Sequence, residues 1–421
     1  MLQGDVLTDG WRDEHVKEAL DLCLACKGCK GDCPVNVDMA TYKAEFLSHY
    51  YQGKLRSMSA YTMGLIYWWA RLACRIPMLA NFLTQTPLLS DIAKLVIGVA
   101  PQRRLPAFAS TTFKEWFRKR GPHHAGRKSG GLPSHRVILW PDTFNNYLHP
   151  EPLQAAVEVL EAAGYEVVVP EQSLCCGRPL YDHGMLNTAK RLLRQILKTL
   201  EPEIIAGTPI VGLEPSCVAV FRDELINLFP HDENAKRLKK QCFVLSEFLV
   251  REQWQGPASP LQRKAVVHMH CHHKAIIRTA AEEAVLNKLG LDYTIIDAGC
   301  CGMAGAFGFE KDHYDVSIKS GERILLPAVR SASRDTLLIA DGFSCREQIA
   351  QTTDRRALHL AQVIQFALQQ DEKGVAKEDA ETTSHLPADQ APSRVGMALT
   401  GSIGLVLLGA LLWIWGKKKA R

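Results

Sequence analysis

Between Arg136 and about Gln370, short runs of β-branched and other apolar residues alternate with longer stretches of helical period, and the alternation occurs twice. The first pass reads VILWPDTFNNY, LEAAGYEVVVPEQSLCCG and TPIVGLEPSC. The second reads AVVHMHCHHKA, LNKLGLDYTIIDAGCCG and TLLIADGFSC. Each opens with an apolar run that predicts a strand, follows with a helix closing at Ala-Gly or Leu-Gly, and adds a second strand that stops at Cys-Cys-Gly. A long helical segment and a third strand ending in Cys complete the unit. Strands alternating with helices predict parallel βαβ units, whose ligands gather at the carboxyl ends of the strands. The shared placement of Cys-Cys-Gly and the closing Cys marks a duplication.

Ahead of the repeat, Trp11 to Leu22 predicts a short amphipathic helix. Met39, Tyr42, Phe46 and Tyr50 predict a second within Asp38 to Arg56. Ser57 to Ala100 is apolar and aromatic, but Arg71, Arg75, Pro77 and Pro87 break it before ~20 apolar residues accumulate. It reads as helices packed on a neighbouring domain or as a surface that docks a membrane or partner. A basic, glycine-containing linker follows, from Arg118 to Arg136. Beyond Gln370 the composition turns polar and linker-like. Val395 to Gly416 then carries no charge, and roughly 22 residues at ~1.5 Å each cover a ~30 Å hydrocarbon layer. Trp413 and Trp415, with Lys417, Lys418, Lys419 and Arg421 after them, suit an interface. The pattern predicts an α/β chain: a small helical ferredoxin-like cluster domain (1–56), a helical aromatic region with basic linker (57–135), two α/β cysteine-rich units (136–255 and 256–370), a disordered linker (371–394) and a C-terminal transmembrane helix (395–416).

At 421 residues, 47% hydrophobic and 23% charged, the chain has room for several cores. A net charge of +5 fits an acidic partner or an anionic membrane and is too weak to argue for nucleic acid. There are 13 cysteines, an odd number, and the N-terminus MLQGDVLTDGWRDEH has no apolar signal region. The cysteines therefore read as reduced metal ligands rather than a disulfide scaffold. The expected location is the inner membrane, anchored by the tail, with the globular part in the cytoplasm. The basic tail flank would by itself favour a cytoplasmic tail; the cofactor argument is given precedence.

The densest chemistry is Cys23-Leu-Ala-Cys26-Lys-Gly-Cys29-Lys-Gly-Asp-Cys33-Pro34. Its C-x2-C-x2-C-x3-C-P spacing is that of a [4Fe–4S] ferredoxin run, with Pro34 expected to open the next helix. A structural zinc site or a disulfide pair is the alternative, though zinc usually draws on separated Cys pairs or on Cys with His. In such runs the fourth Cys normally ligates a second cluster. No second run exists here, so Cys33 lacks partners and the chain reads as missing an upstream part. A second set, Cys271, Cys300, Cys301 and Cys345, falls at three predicted strand ends and could hold a cluster of unusual geometry, since the Cβ vectors of adjacent cysteines diverge. In the first unit Cys175, Cys176 and Cys217 are matched only by Asp142-Thr143 at the position of Cys271, so that half could hold a cluster completed by Asp142 or an outside ligand, a different metal, or nothing; an empty or degenerate site is the expectation. His268, His270, His272 and His273 surround Cys271. They could bind zinc, donate to cluster sulfur, or simply pack at a helix start. Cys74 and Cys242 stand alone and read as buried thiols. No nucleophile elbow, phosphate loop or dinucleotide fingerprint is present.

The run CLACKGCKGDCPVNVDMATYKAEF followed by two Cys-Cys-Gly units resembles the C-terminal iron–sulfur half of bacterial FAD-linked oxidases of the D-2-hydroxyglutarate dehydrogenase type. The likeness spans Leu2 to about Gln370. The Cys-Cys-Gly units also resemble those of the cysteine-rich heterodisulfide reductase subunit, the glycolate oxidase iron–sulfur subunit and an anaerobic glycerol-3-phosphate dehydrogenase subunit. The resemblance implies that Cys23, Cys26, Cys29 and Cys33 are cubane ligands, that Cys271, Cys300, Cys301 and Cys345 match the full pattern, and that Cys175, Cys176 and Cys217 match it incompletely. It implies FAD on a dehydrogenase subunit or missing upstream domain that oxidises a 2-hydroxy acid, with electrons leaving toward a membrane acceptor such as quinone. Disulfide reduction at the Cys-Cys-Gly cluster, or a non-functional split-gene fragment, are the competing expectations.

Overall fold

A computed structural model describes residues 9–121 and 136–373 as a mixed α/β architecture. Two parallel sheets carry the repeat. The first contains β1 (Arg136–Trp140), β2 (Glu166–Val168), β3 (Ile210–Gly212) and β4 (Cys242–Val244) in the order β2-β1-β3-β4. The second contains β5 (Lys264–Val267), β6 (Asp292–Ile295) and β7 (Leu337–Ile339) in the order β6-β5-β7. In both sheets the leading strand of the unit is central and pairs in parallel with the next two. Val137 lies opposite Val167 and Leu139 opposite Val211, while Val266 lies between Thr294 and Leu338. β4 lies outside the three-strand pattern that the two units repeat, so the repeat does not announce it.

Crossover helices cover both faces of such sheets, so their strands read as continuous apolar runs rather than alternating ones. Val137, Leu139, Ala265 and Val267 share one core with Leu153 and Leu160 of helix Glu151–Ala162, Val285 and Leu286 of helix Ala280–Lys288, and Leu360 and Ile364 of helix Leu360–Lys373. The two units therefore bury their apolar faces in common.

The N-terminal cysteine loop lies between helices Glu14–Asp21 and Met39–Tyr50. Each helix starts at an aspartate, as first-turn N–H groups require. Asp13 Oδ1 accepts from Val16 N and Asp38 Oδ1 from Thr41 N, both at 3.0 Å. Pro34 does not open the second helix, contrary to expectation. The chain first turns through Asn36 at φ 54°, and Asp38 supplies the start.

Residues 58–97 form four short helices, two of them begun by Pro77 and Pro87. Tyr67 and Ala70 are buried, whereas Trp69, Met78, Leu88 and Leu95 are exposed. The expectation of a C-terminal transmembrane helix is corrected: among the described residues no helix is long and apolar enough to cross a membrane. The longest helices, Leu186–Thr199 and Leu360–Lys373, have 14 residues each. That is about 21 Å against the ~30 Å required. Val395 to Gly416 lies outside the described residues.

What fastens the cysteine loop to the sheets is a buried lysine. Lys27 is 0% exposed, and its Nζ sits 2.8 Å from Asp38 Oδ2, 2.8 Å from Asp223 Oδ2 and 3.2 Å from Glu224 Oε1. Lys30 joins Asp223, and Arg178 joins Glu224. Burial alone would lower the Lys27 amine's affinity for its proton, but Glu224 and Asp223 reverse this and raise it above the ordinary lysine value. Burial would likewise raise the Asp38 and Asp223 carboxyls, and Lys27 holds both below their usual range. The sign follows. The carboxylates contribute stability above about pH 4 that is lost in acid, and the amine contributes stability below about pH 10 that is lost in alkali. Replacing Lys27 with Met leaves buried carboxylates uncompensated, and should lower stability by about 3–5 kcal/mol at neutral pH. Urea denaturation of Lys27→Met beside wild type checks this; coincident midpoints would show that the network holds nothing together.

Candidate metal centres

Within the loop, Cys23, Cys26 and Cys29 are close enough that the charges of the outer two act on Cys26. Burial raises the Cys26 thiol, and Cys271 of the second unit adds to the rise. The backbone is shaped for this convergence, with Ala25 at φ 50° and Lys27 at φ 63° turning the chain left-handed between cysteines. Met39 N points at Cys29 Sγ at 3.4 Å, the kind of backbone donor that tunes cluster sulfur. Cys33 stands apart. Its thiol faces the N–H groups of Val37, Val35 and Asn36, which lower its pKa, and no other cysteine acts on it.

Ala25 makes the junction between loop and units. Its carbonyl oxygen accepts from Arg178 Nη2 of the first unit and from His272 Nε2 of the second, each at 2.9 Å. Gly31 lies near Ala275, where a Cβ on the glycine would come to 3.9 Å from the Ala275 Cα. The loop is thus set on the seam between units, with Cys26 beside Cys271.

In the second unit the thiols form a chain of contacts: Cys271 with Cys300, Cys300 with Cys301, and Cys301 with Cys345. Cys271 lies just past β5, Cys300 and Cys301 follow β6, and Cys345 follows β7 in helix Phe343–Thr352. The Cys-Cys-Gly turn works through its glycine. Gly302 has φ 90°, and a Cβ there would come to 2.1 Å from the Ser317 carbonyl oxygen. Its N–H points back at Cys300 Sγ at 3.4 Å. Gly177 repeats the arrangement in the first unit, with φ 81° and its N–H 3.5 Å from Cys175 Sγ.

The histidines divide. His268 lies with Cys301 and Cys345, and His270 and His272 lie with Cys271. His272 reaches away to Ala25, while His270 Nδ1 accepts from His272 N at 3.1 Å. Gly342 leaves room for the His270 ring, since a Cβ there would sit 2.2 Å from Cδ2. His273 points elsewhere, to Glu282 and Asp341.

The first unit differs where its sequence differs. Thr143 occupies the place of Cys271, and its hydroxyl donates to Cys175 Sγ at 3.4 Å. Asp142 is not turned toward the thiols as a ligand. It is buried and caps helix Thr143–Tyr147, accepting from Phe144 N, Asn145 N and Asn145 Nδ2. Burial and neighbouring Glu214 raise its pKa to about 6. Cys176 and Cys217 face each other at 3.0 Å. Cys74 is partly buried and Cys242 fully buried, each alone.

Several residues at the site carry no sequence signal. Lys27 lies inside a cysteine run where lysines pass as solvent-facing. Glu214 of the first unit accepts from Phe343 N of the second at 2.8 Å, capping the helix that bears Cys345. Arg178 follows the first Cys-Cys-Gly and ends up holding the other loop. A cavity of about 700 Å³ runs between the two cysteine sets, lined by Cys23, Cys271, Cys300 and Cys301 and by apolar side chains such as Met58, Trp69 and Phe108.

Soft thiolate sets of this kind, converging at strand ends with backbone N–H groups aimed at sulfur, fit an iron–sulfur cluster. They belong to a defined class of module, since residues 143–222 and 265–348 each match the cysteine-rich (CCG) domain. The chain is 27% identical over 295 residues to an anaerobic glycerol-3-phosphate dehydrogenase subunit of Escherichia coli (strain K12), covering 69% of this chain and 72% of that one. It is 24% identical over 355 residues to D-2-hydroxyglutarate dehydrogenase of the same strain, covering 83% of this chain and 34% of that one. It is 27% identical over 225 residues to lactate utilization protein A of Bacillus licheniformis, covering 50% and 91% respectively. These similarities are consistent with the iron–sulfur half of FAD-linked oxidase-type proteins, and the chain spans about a third of the D-2-hydroxyglutarate dehydrogenase it matches.

The geometry orders the cysteines. Cys26→Ser and Cys301→Ser should each lower iron and acid-labile sulfide in anaerobically purified protein. Cys33→Ser should lower them less than Cys26→Ser, and Cys176→Ser should leave them unchanged. Equal losses for Cys176→Ser and Cys301→Ser would show that the first unit is filled too.

Proposed function

We propose that this protein is an iron–sulfur electron relay that accepts electrons from an FAD-dependent dehydrogenase on another chain. Cys23, Cys26 and Cys29 would hold one cluster, with Cys33 standing apart from them, and Cys271, Cys300, Cys301 and Cys345 would hold a second; both are assigned as [4Fe–4S]. Such clusters, when bound, take up and release single electrons. The chain's own contribution is placement. Lys27 and Ala25 seat the loop so that Cys26 comes within range of the charge of Cys271, and that proximity across the seam is the observation that carries the reading. The relatives' names, subunits of or whole dehydrogenases and a lactate utilization protein, support an electron-transfer role beside a flavin enzyme.

The electrons would leave through the cavity at Cys300 and Cys301, whose apolar lining suits a quinone. The same opening at the thiol rim favours disulfide reduction as a second reading. Reoxidation kinetics separate the two. Dithionite-reduced holoprotein should be reoxidised rapidly by a short-chain quinone analogue under anaerobic conditions and slowly by an organic disulfide. Met58→Trp, which narrows the cavity, should slow the quinone reaction, and Cys301→Ser should reduce it to background. Faster reoxidation by the disulfide would move the assignment to disulfide reduction; no reaction with either would reject the cavity as an exit.

A further inference from the structure

Three chain segments meet behind the second cysteine set. His273 opens a single π-helical turn, His273–Ile277; Glu282 lies in helix Ala280–Lys288; and Asp341 follows β7. One potential ligand atom from each lies within 4.8 Å of the other two. All three side chains are buried, at 1%, 2% and 7% exposure. His273 Nε2 and Glu282 Oε2 have no hydrogen-bond partner. Asp341 Oδ1 accepts from Leu360 N at 2.9 Å and faces His359 Nε2 at 3.5 Å. Among the described residues neither carboxylate forms an ion pair with a lysine or arginine, although Arg346 Nη1 donates to the main-chain oxygen of Asp341. Orphaned polar atoms in a dry interior are costly, and two carboxylates sharing it repel each other unless a cation or a proton lies between them.

We propose that His273, Glu282 and Asp341 form a mononuclear divalent-metal site, with zinc as its ion. One imidazole and two carboxylates are a donor set zinc accepts, and its charge balances both carboxylates. The set contains no thiolate, which separates it from the cysteine centres. His359 lies beside Asp341 but donates its Nε2–H to the Leu213 carbonyl oxygen at 3.1 Å, so Leu360 N is the donor that fixes the Asp341 carboxylate. Zinc has no redox chemistry of its own, so the ion would fasten structure without offering electrons a second route. What it fastens is specific. His273 lies two residues after Cys271, and Asp341 lies four before Cys345, so one ion ties together two segments that deliver cluster ligands. The inference does not rest on the electron-relay reading.

Full-length protein, purified anaerobically and supplied with zinc alone, should retain about one zinc per chain after dialysis. Cys301→Ser should keep that zinc while losing iron. Glu282→Gln and Asp341→Asn should each lower zinc affinity at least about tenfold. Wild-type protein loaded with cobalt(II) instead should show visible ligand-field bands without thiolate charge-transfer absorption, a readout that needs no variant to fold. Zinc at trace level, zinc lost in Cys301→Ser but kept in Glu282→Gln, or a thiolate–cobalt band would each overturn the site. The last two would place the ion on the cysteines.

Discussion

The buried ammonium of Lys27 is the constraint on which the arrangement turns. A charge removed from water is tolerated only where opposite charges meet it, and here they come from two sources: Asp38 in the loop's own helix, and Asp223 and Glu224 in the first unit. Satisfying one lysine therefore fixes a loop against a domain almost two hundred residues further along the chain. Arg178 extends the same network to the Ala25 carbonyl, and His272 reaches that oxygen from the other unit. The position of Cys26 against Cys271 follows from these contacts.

The duplicated units have taken different parts. Both keep the Cys-Cys-Gly turn and its left-handed glycine. The second unit keeps four thiols in a contact chain. The first has Thr143 in place of the leading cysteine, yet supplies Arg178, Glu214, Asp223 and Glu224, the groups that seat the loop and cap the Cys345 helix. One half presents chemistry and the other positions it. A shared hydrophobic core keeps the two in fixed relation.

Much of this is legible in the sequence where it depends on local spacing. The cysteine run, the two Cys-Cys-Gly turns and the strand–helix alternation are short-range signals, and parallel sheets are their expected consequence. Whatever depends on long-range pairing is not legible. Lys27 looks like any loop lysine until Asp223 and Glu224 arrive. Among the described strands β4 has no counterpart in the second unit, so the repeat does not announce it. Asp142 reads in the sequence as a possible ligand, and only the direction of its oxygens toward Phe144 N and Asn145 N shows it to be a helix cap. Pro34 has the look of a helix start, yet Asp38 provides it. The apolar stretch at 58–97 consists of short helices with one side packed and large side chains such as Met78 and Leu95 left exposed, a mixture of the two readings that composition offers.

The doubly held carbonyl of Ala25 has a consequence for rates. A group that gains and loses charge works fastest when its surroundings need not rearrange, because each displaced dipole adds to the activation barrier. Ala25 lies between two cysteines of the loop, and its oxygen is gripped from both sides by donors that are themselves buried. The loop's dipoles are oriented in advance, with little freedom to follow a change in charge. In the proposed relay, a scaffold held this way would keep the reorganisation energy of the site small and favour fast exchange of electrons over short distances.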